Sequence, residues 1–306
     1  MKKVILATDG SGFANEAAWF LAHLPRHDKM ELTVLTVLDD PAIARNYQTA
    51  TWLHDAIERE KNLADDAFRQ IEEMFEGANV TLRSIVQHGH RGETIVQVAK
   101  EQHADLVVVG ARGHSVVSRL LLGSTSDYVA THAPCSVLVV RPTKVRQTDH
   151  PLRVAIGYQN SEQAHAAIEQ FREIKWGRET DVDLVFVVPF MAGFLNDVVV
   201  DIAVAKEVAQ KQVDKATEEI LDVAPNTSGR VIASDHIGEG LVTFVEDEQC
   251  DLIVVGETPR TALGRFLLGS TTIFVLRHAP CSVWITRKLA TEKSEEIDKA
   301  ADLAMS

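Results

Sequence analysis

The chain has 306 residues, of which 45% are hydrophobic and 25% charged, with 17 glycines and 9 prolines; this is the composition of a packed globular protein, not of a disordered or fibrous one. Its length is close to twice the usual domain of roughly 150 residues, so two domains are expected. Asp and Glu number 44 against 31 Lys and Arg, a formal net charge of -13, which disfavours broad binding to nucleic acid or anionic lipid while leaving room for one local anion site.

The N-terminal sequence turns polar after about five apolar residues, too few for a signal-peptide core, and no stretch nears the roughly 20 apolar residues of a membrane span. The longest apolar candidate, Leu184 to Ala205, is interrupted by Pro189, Asn196, Asp197 and Asp201. A cytoplasmic protein is expected. Cys135, Cys250 and Cys281 have no paired CxxC spacing and predict neither a disulfide framework nor a zinc ribbon.

Val4 to Thr8 is a short apolar run ending in Asp9-Gly10-Ser11-Gly12, the pattern of a buried strand that leads into a loop. Asn15 to His23 reads as a helix, Leu32 to Leu38 as a strand, and Thr51 to Glu76 as a long helix with its charges on one face. Val80 to Gln87 alternates like a strand. Glu93 to Gln102 places Ile95, Val96, Val98 and Ala99 at helical spacings, and Leu106 to Val109 is a continuous apolar strand. A short helix over Ser124 to His132 and a strand over Ser136 to Val140 complete the order βαβαβαβαβ.

The same order then returns. Residues 105 to 141 align without a gap with residues 251 to 287, sharing Leu-Leu-Gly-Ser-Thr and His-Ala-Pro-Cys-Ser-Val. Gly92-Glu93 corresponds to Gly238-Glu239, and KVILATDGSGFANEAA to RVAIGYQNSEQAHAAI. The chain is a tandem duplication. A first domain over 1–145 and a second over 150–290 are expected, joined near the polar stretch Thr143 to His150, with a polar tail over 291–306. The second set of strands is placed near Val154 to Tyr158, Asp183 to Val188, Gly229 to Ala233, Leu252 to Val255 and Ser282 to Thr286. Solid apolar strands alternating with helices imply an α/β fold, a parallel sheet covered on both faces.

Such sheets bind ligands at the carboxyl ends of their strands, where strand order reverses. Two loops of the first copy qualify. One is Ala7-Thr8-Asp9-Gly10-Ser11; the other is Gly110-Ala111-Arg112-Gly113, followed after nine residues by Gly123-Ser124-Thr125 at a helix start. Glycines at 110 and 113 let the backbone approach a ligand closely, and the free amides of a helix start attract an anion. Asp9 suits ribose hydroxyls or a phosphate-bound metal. A mononucleotide satisfies both loops.

Plainer readings stand beside these. Asp9-Gly10-Ser11 also fits a turn with a helix N-cap, and Gly123-Ser124 a cap alone. Arg112 also fits a solvated loop charge, and Arg119 and Arg265 a surface ion pair. His132 and His278 fit helix ends whose last carbonyls they stabilise, and Cys135 and Cys281 small core residues. Of His88 and His90 only His90 has a counterpart, His236, so no metal site built from side-chain clusters is expected.

The pattern Gly110-x2-Gly113-x9-Gly123-Ser124 after an apolar strand, with Asp9 after the first strand, resembles the ATP-binding signature of universal stress proteins. The resemblance covers nearly the whole chain as two copies. It implies two tandem doubly wound, five-stranded parallel sheets of strand order 3-2-1-4-5, of the adenine nucleotide alpha-hydrolase-like type. It further implies ATP, with Mg2+ near Asp9 where the phosphates need neutralising. Residues matching Asp9 and Val37 flank ribose and adenine, and those matching Gly110, Gly113, Gly123, Ser124 and Thr125 surround the phosphates; Ala7, Thr8 and Arg112 complete the expected site. Single-domain relatives commonly dimerise through their last strands. Here Ser136 to Val140 and Ser282 to Thr286 supply that pairing within one chain, a pseudo-dimer that leaves room for a further homodimer.

The second copy departs from the signature. Gln159 stands at the position of Asp9, and Pro259, which has no N–H to donate, at that of Gly113. Gly256, Gly269, Ser270 and Thr271 survive, so a weakened, altered or vacant second site is expected. The reading is an ATP-binding, nucleotide-dependent stress-response regulator. The alternatives are a slow ATP hydrolase and a nucleotide-independent interaction protein, the latter using the apolar segment Phe190 to Val204.

Overall fold

The computed structural model describes residues 1–25, 28–39, 50–112, 122–142, 151–189, 202–257 and 268–287. The first copy runs β1 (Lys3–Thr8), α1 (Gly12–His23), β2 (Met30–Leu38), α2 (Ala50–Met74), β3 (Val80–His88), α3 (Arg91–Glu101), β4 (Leu106–Gly110), α4 (Ser124–His132) and β5 (Ser136–Val140). The second repeats it: β6 (Leu152–Gly157), α5 (Glu162–Arg172), β7 (Thr180–Pro189), α6 (Ile202–Glu218), β8 (Asn226–Ser234), α7 (Ile237–Asp247), β9 (Leu252–Gly256), α8 (Ser270–His278) and β10 (Ser282–Thr286). The stretch Thr143 to His150 and the tail 291–306 lie outside the described residues.

Each copy has the strand order 3-2-1-4-5, but the two sheets are not separate. They fuse into one ten-stranded sheet, β3-β2-β1-β4-β5-β10-β9-β6-β7-β8. Every pairing within a copy is parallel, as right-handed crossovers through helices require. The junction is antiparallel, with Val137 opposite Ile285, Leu138 opposite Trp284 and Val139 opposite Val283. Antiparallel pairing of two equivalent strands is what a twofold relation between copies produces.

Strand sequences explain the burial. All five residues of β4, β5 and β10 are buried, and alternate side chains feed two cores, one on each face. On one face Leu6, Val34, Val108 and Leu138 pack with Leu21 of α1, Ile71 of α2, Phe171 of α5 and Trp284. On the other, Ile5, Leu35, Val107 and Val139 pack with Val98 of α3, Val129 of α4, Phe244 of α7 and Ile285. Both cores run through the junction without a break.

Several elements start earlier than the apolar pattern predicts. Helix α1 begins at Gly12, not Asn15, because Ser11 is its N-cap and its hydroxyl accepts the Ala14 amide at 3.2 Å. Ser161 caps α5 in the same way, accepting from Ala164 at 3.3 Å. Strands β7 and β8 begin in the polar residues Thr180-Asp181 and Asn226-Thr227-Ser228, which pair through the backbone with an Asn226–Asp181 side-chain bond at 3.5 Å and so leave no hydrophobic trace.

Two arginines cross the junction in opposite directions. Arg287, after β10, is 2% exposed. It donates to the carbonyls of Ala133 (3.0 Å), Cys135 (3.1 Å) and Ala130 at the C-terminal end of α4, and pairs with the carboxylate of Glu257. Arg141, after β5, donates to Leu276 (2.6 Å) and Cys281 (3.4 Å) at the end of α8. Their amides reach across as well, Arg287 to Ser136 Oγ (2.9 Å) and Arg141 to Ser282 Oγ (3.2 Å). Each copy thus neutralises the negative helix end of the other.

Removing Arg287 strands a buried carboxylate and a group of helix-end carbonyls. Arg287→Met is expected to lower stability by about 3–5 kcal/mol, and Glu257→Met in the same chain to restore much of the loss, measured by equilibrium urea unfolding.

Candidate functional site

Strand β1 lies between β2 and β4 in the sheet, so the chain leaves its carboxyl end and that of β4 toward opposite faces and opens a crevice there. The crevice is a cavity of about 460 Å³. Ala7, Thr8 and Asp9 come to it from the end of β1, Val37 from β2, Gly110 and Arg112 from the end of β4, and Gly123, Ser124 and Thr125 from the start of α4. The structure therefore gathers every residue expected at the site except Gly113, which lies outside the described residues, as do Arg119, Arg265 and Pro259.

The β1 loop is both a turn and part of the cavity wall. Asp9 Oδ1 accepts the Ser11 amide at 3.0 Å, Thr8 Oγ1 accepts the Gly10 amide at 3.1 Å, and Gly10 turns the chain at a φ of +73°. The turn expected of Asp9-Gly10-Ser11 is present, and Asp9 also lines the cavity.

Gly110 lines the cavity and has a packing duty as well: a Cβ there would lie 2.7 Å from the carbonyl oxygen of Phe13, so its absence seats the first turn of α1 on β4. Gly256 does the same against Gln163, at 2.6 Å. This shared glycine is a packing requirement that also borders the cavity.

Gly123 is the N-cap of α4 and contributes no side-chain cap; its own amide is used by Ala111 O at 2.8 Å. Ser124 and Thr125, in the first turn of α4 at its positive end, line the cavity, and amides of a first turn have no partner within the helix. Ser126, the next residue, donates its hydroxyl to Gly110 O at 2.6 Å and ties α4 to β4; Thr272 makes the equivalent bond to Gly256 O at 3.2 Å. Arg112 lies over the Phe13 ring, 5.8 Å from its centroid.

Sequence reasoning missed Leu35, Ile95, Val109, Ala14, Arg91 and Ser126 as lining residues. Leu35 was within reach, being two residues from Val37 on the same face of β2. Arg91, the first residue of α3, is ion-paired to Asp39 at 3.3 Å, and nothing in the local sequence marked it.

The second copy differs in the space that remains. Its cavity is about 90 Å³. Tyr158 stands at the position of Thr8 and is 4% exposed, with its ring edge-on to His165 and Phe186. Leu241, the counterpart of Ile95, reaches to within 3.1 Å of where a Gly157 Cβ would lie. Gly256 and Thr271 line what is left, whereas Gly269 and Ser270, the N-cap and first residue of α8, do not.

The remaining candidates fall to structural roles. The Nδ1 atoms of His132 and His278 meet the carbonyls of Tyr128 (2.9 Å) and Phe274 (2.8 Å) one turn earlier, each ring stacked on that same residue's ring. Cys135, Cys250 and Cys281 are buried free thiols. Burial pushes Cys135 and Cys250 up to about 12, and Cys281 further up. Among the described residues no three His, Cys, Asp or Glu side chains converge as metal ligands, and no helix is long and apolar enough to cross a membrane. Asp9 is the one carboxylate among the described residues lining the larger cavity.

Comparison with known proteins agrees with this architecture. The model of the universal stress protein family matches residues 1–141 and again 152–287. A putative universal stress protein of Staphylococcus saprophyticus is 29% identical over 171 residues, covering 54% of this chain and 98% of the relative. The crystal structure of a universal stress protein from Archaeoglobus fulgidus superposes with a TM-score of 0.62 at 18% identity, covering 93% of this chain and 98% of that one. A family protein from Arabidopsis thaliana, solved with AMP bound, covers 49% of this chain and 97% of its own at 17% identity and a TM-score of 0.35.

Thiols held this far above their ordinary value stay protonated and inert. At about pH 8 none of the three is expected to react with a thiol-specific reagent in the native protein, and all three after denaturation, read by mass spectrometry of the labelled chain.

Proposed function

The chain belongs to the universal stress protein family, and from that premise we propose that its first copy binds ATP and that the protein acts in the cytoplasm as a nucleotide-dependent regulator of the stress response. The observation that carries the reading is the 460 Å³ cavity in which the separated loops of the first copy converge, a volume within the roughly 300–1,000 Å³ usual for small-ligand sites. Leu35, Val37, Ile95 and Val109 give it an apolar slot for a purine ring. Asp9 offers a carboxylate to ribose hydroxyls or to a Mg2+ carried by the triphosphate. The Ser124 and Thr125 amides and hydroxyls, with Arg112, supply donors for phosphate.

The second copy is assigned no ATP, or a weakened site. Tyr158 and Leu241 occupy the space, and Gln159 removes the acid. Binding is favoured over hydrolysis because Asp9, the sole carboxylate among the described lining residues, already accepts the Ser11 amide, and a base must be positioned on the attacking water. The units carrying these properties are taken as residues 1–145 and 150–290, followed by the tail over 291–306.

Calorimetric titration tests the reading. ATP is expected to bind with a stoichiometry near one per chain. Gly123→Glu and Asp9→Ala should each weaken it at least about tenfold, equivalent to ~1.4 kcal/mol. Two equal sites, or variants with undiminished affinity, would overturn it.

A further inference from the structure

We infer that the residue directly after the fourth strand of each copy, Ala111 in the first and Glu257 in the second, decides which copy presents a net positive charge to a bound anion. This deepens the ATP-binding reading and rests on it.

The position is set by the sheet. The Ala111 amide donates to Val140 O at 2.7 Å, next to Arg141, and the Glu257 amide donates to Thr286 O at 3.1 Å, next to Arg287. Each residue therefore adjoins one of the two crossing arginines. In the second copy the carboxylate is 7% exposed and pairs with Arg287, so the two charges cancel. The other carboxylate oxygen, Oε1, is buried with no hydrogen-bond partner among the described residues, leaving the arginine as the partner that accounts for an acid there.

In the first copy a methyl group takes that place. Arg141, 5% exposed, is held by the carbonyls of Leu276 and Cys281, and no carboxylate pairs with it among the described residues. Among the described residues its charge is offset by helix-end carbonyls alone, with no carboxylate to cancel it, inside the protein where screening is weak. Burial chiefly lowers its affinity for the proton, Cys281 opposes this, and the Arg112 guanidinium adds a smaller lowering, so the two cations lie on one side of the structure. That side is the phosphate end of the cavity: Ala111 O accepts the Gly123 amide at 2.8 Å, and Arg112 follows in sequence. Phosphate bound at the start of α4 compensates Arg141 and Arg112 together. The equivalent place in the second copy offers a neutralised pair.

Arg141 touches no ligand in this scheme; it acts through space as a positioning charge, so the test separates phosphate from base. Ala111→Glu puts a carboxylate where the second copy shows that it reaches the arginine. It is expected to weaken ATP binding at least about tenfold while shifting adenosine binding by less than about threefold, since adenosine carries no charge for the field to act on. Ala111→Gln, of the same size without the charge, is expected to keep ATP affinity within about threefold. Should Ala111→Glu not fold, Arg141→Gln serves instead, with the same loss for ATP and retention for adenosine. Wild-type ATP affinity in Ala111→Glu, or parallel loss of ATP and adenosine in both position-111 variants, overturns the inference. Wild-type protein that binds neither ligand overturns the underlying reading and this inference with it.

Discussion

The reciprocal reach of Arg141 and Arg287 across the β5–β10 junction is the constraint on which the rest of the structure depends. Two five-stranded sheets could meet in many ways, but a buried guanidinium must be matched by acceptors, and here the acceptors are the last carbonyls of the other copy's short helix. That fixes α4 at its C-terminal end from outside its own domain. The N-terminal end of α4 is the phosphate end of the candidate site. One nine-residue helix therefore joins the domain junction to the candidate cavity.

Much of this was legible in the sequence, and the reasons are specific. The βαβ alternation showed because parallel strands buried on both faces are solid apolar runs, as in Leu106 to Gly110. The repeat showed because residues with packing duties recur at equivalent positions in both copies, Gly110 with Gly256 and His132 with His278. The convergence of Asp9 with Gly123, Ser124 and Thr125 followed from the rule that ligands sit where strand order reverses. Other features left no local trace. The polar beginnings of β7 and β8 are strands only because a neighbour supplies backbone partners. Arg91 enters the cavity through the packing of α3. The role of Gly110 as a seat for α1 appears only when the atoms of Phe13 are in view, since a glycine needed for helix contact and one needed for a ligand look alike in sequence.

The two copies show how divergence works on a shared frame. Packing glycines, helix caps and histidine-on-ring helix ends persist in both. What changes are side chains that fill or charge the crevice: threonine to tyrosine, aspartate to glutamine, alanine to glutamate. The caps of α1 and α5 survive these changes. A duplicated fold can therefore retain its architecture while one crevice closes, because the residues that hold the sheet together and those that face the crevice are largely different sets.

The antiparallel pairing of β5 with β10 has a consequence for behaviour in dilute solution. Two separate chains that met along this edge would come apart as their concentration fell below the dissociation constant. Here the matching strand travels on the same polypeptide, at an effective concentration that for a short tether is of millimolar order and independent of abundance. The assembly is thus indifferent to copy number: a cell holding a handful of molecules has as complete a pairing as one that has accumulated thousands.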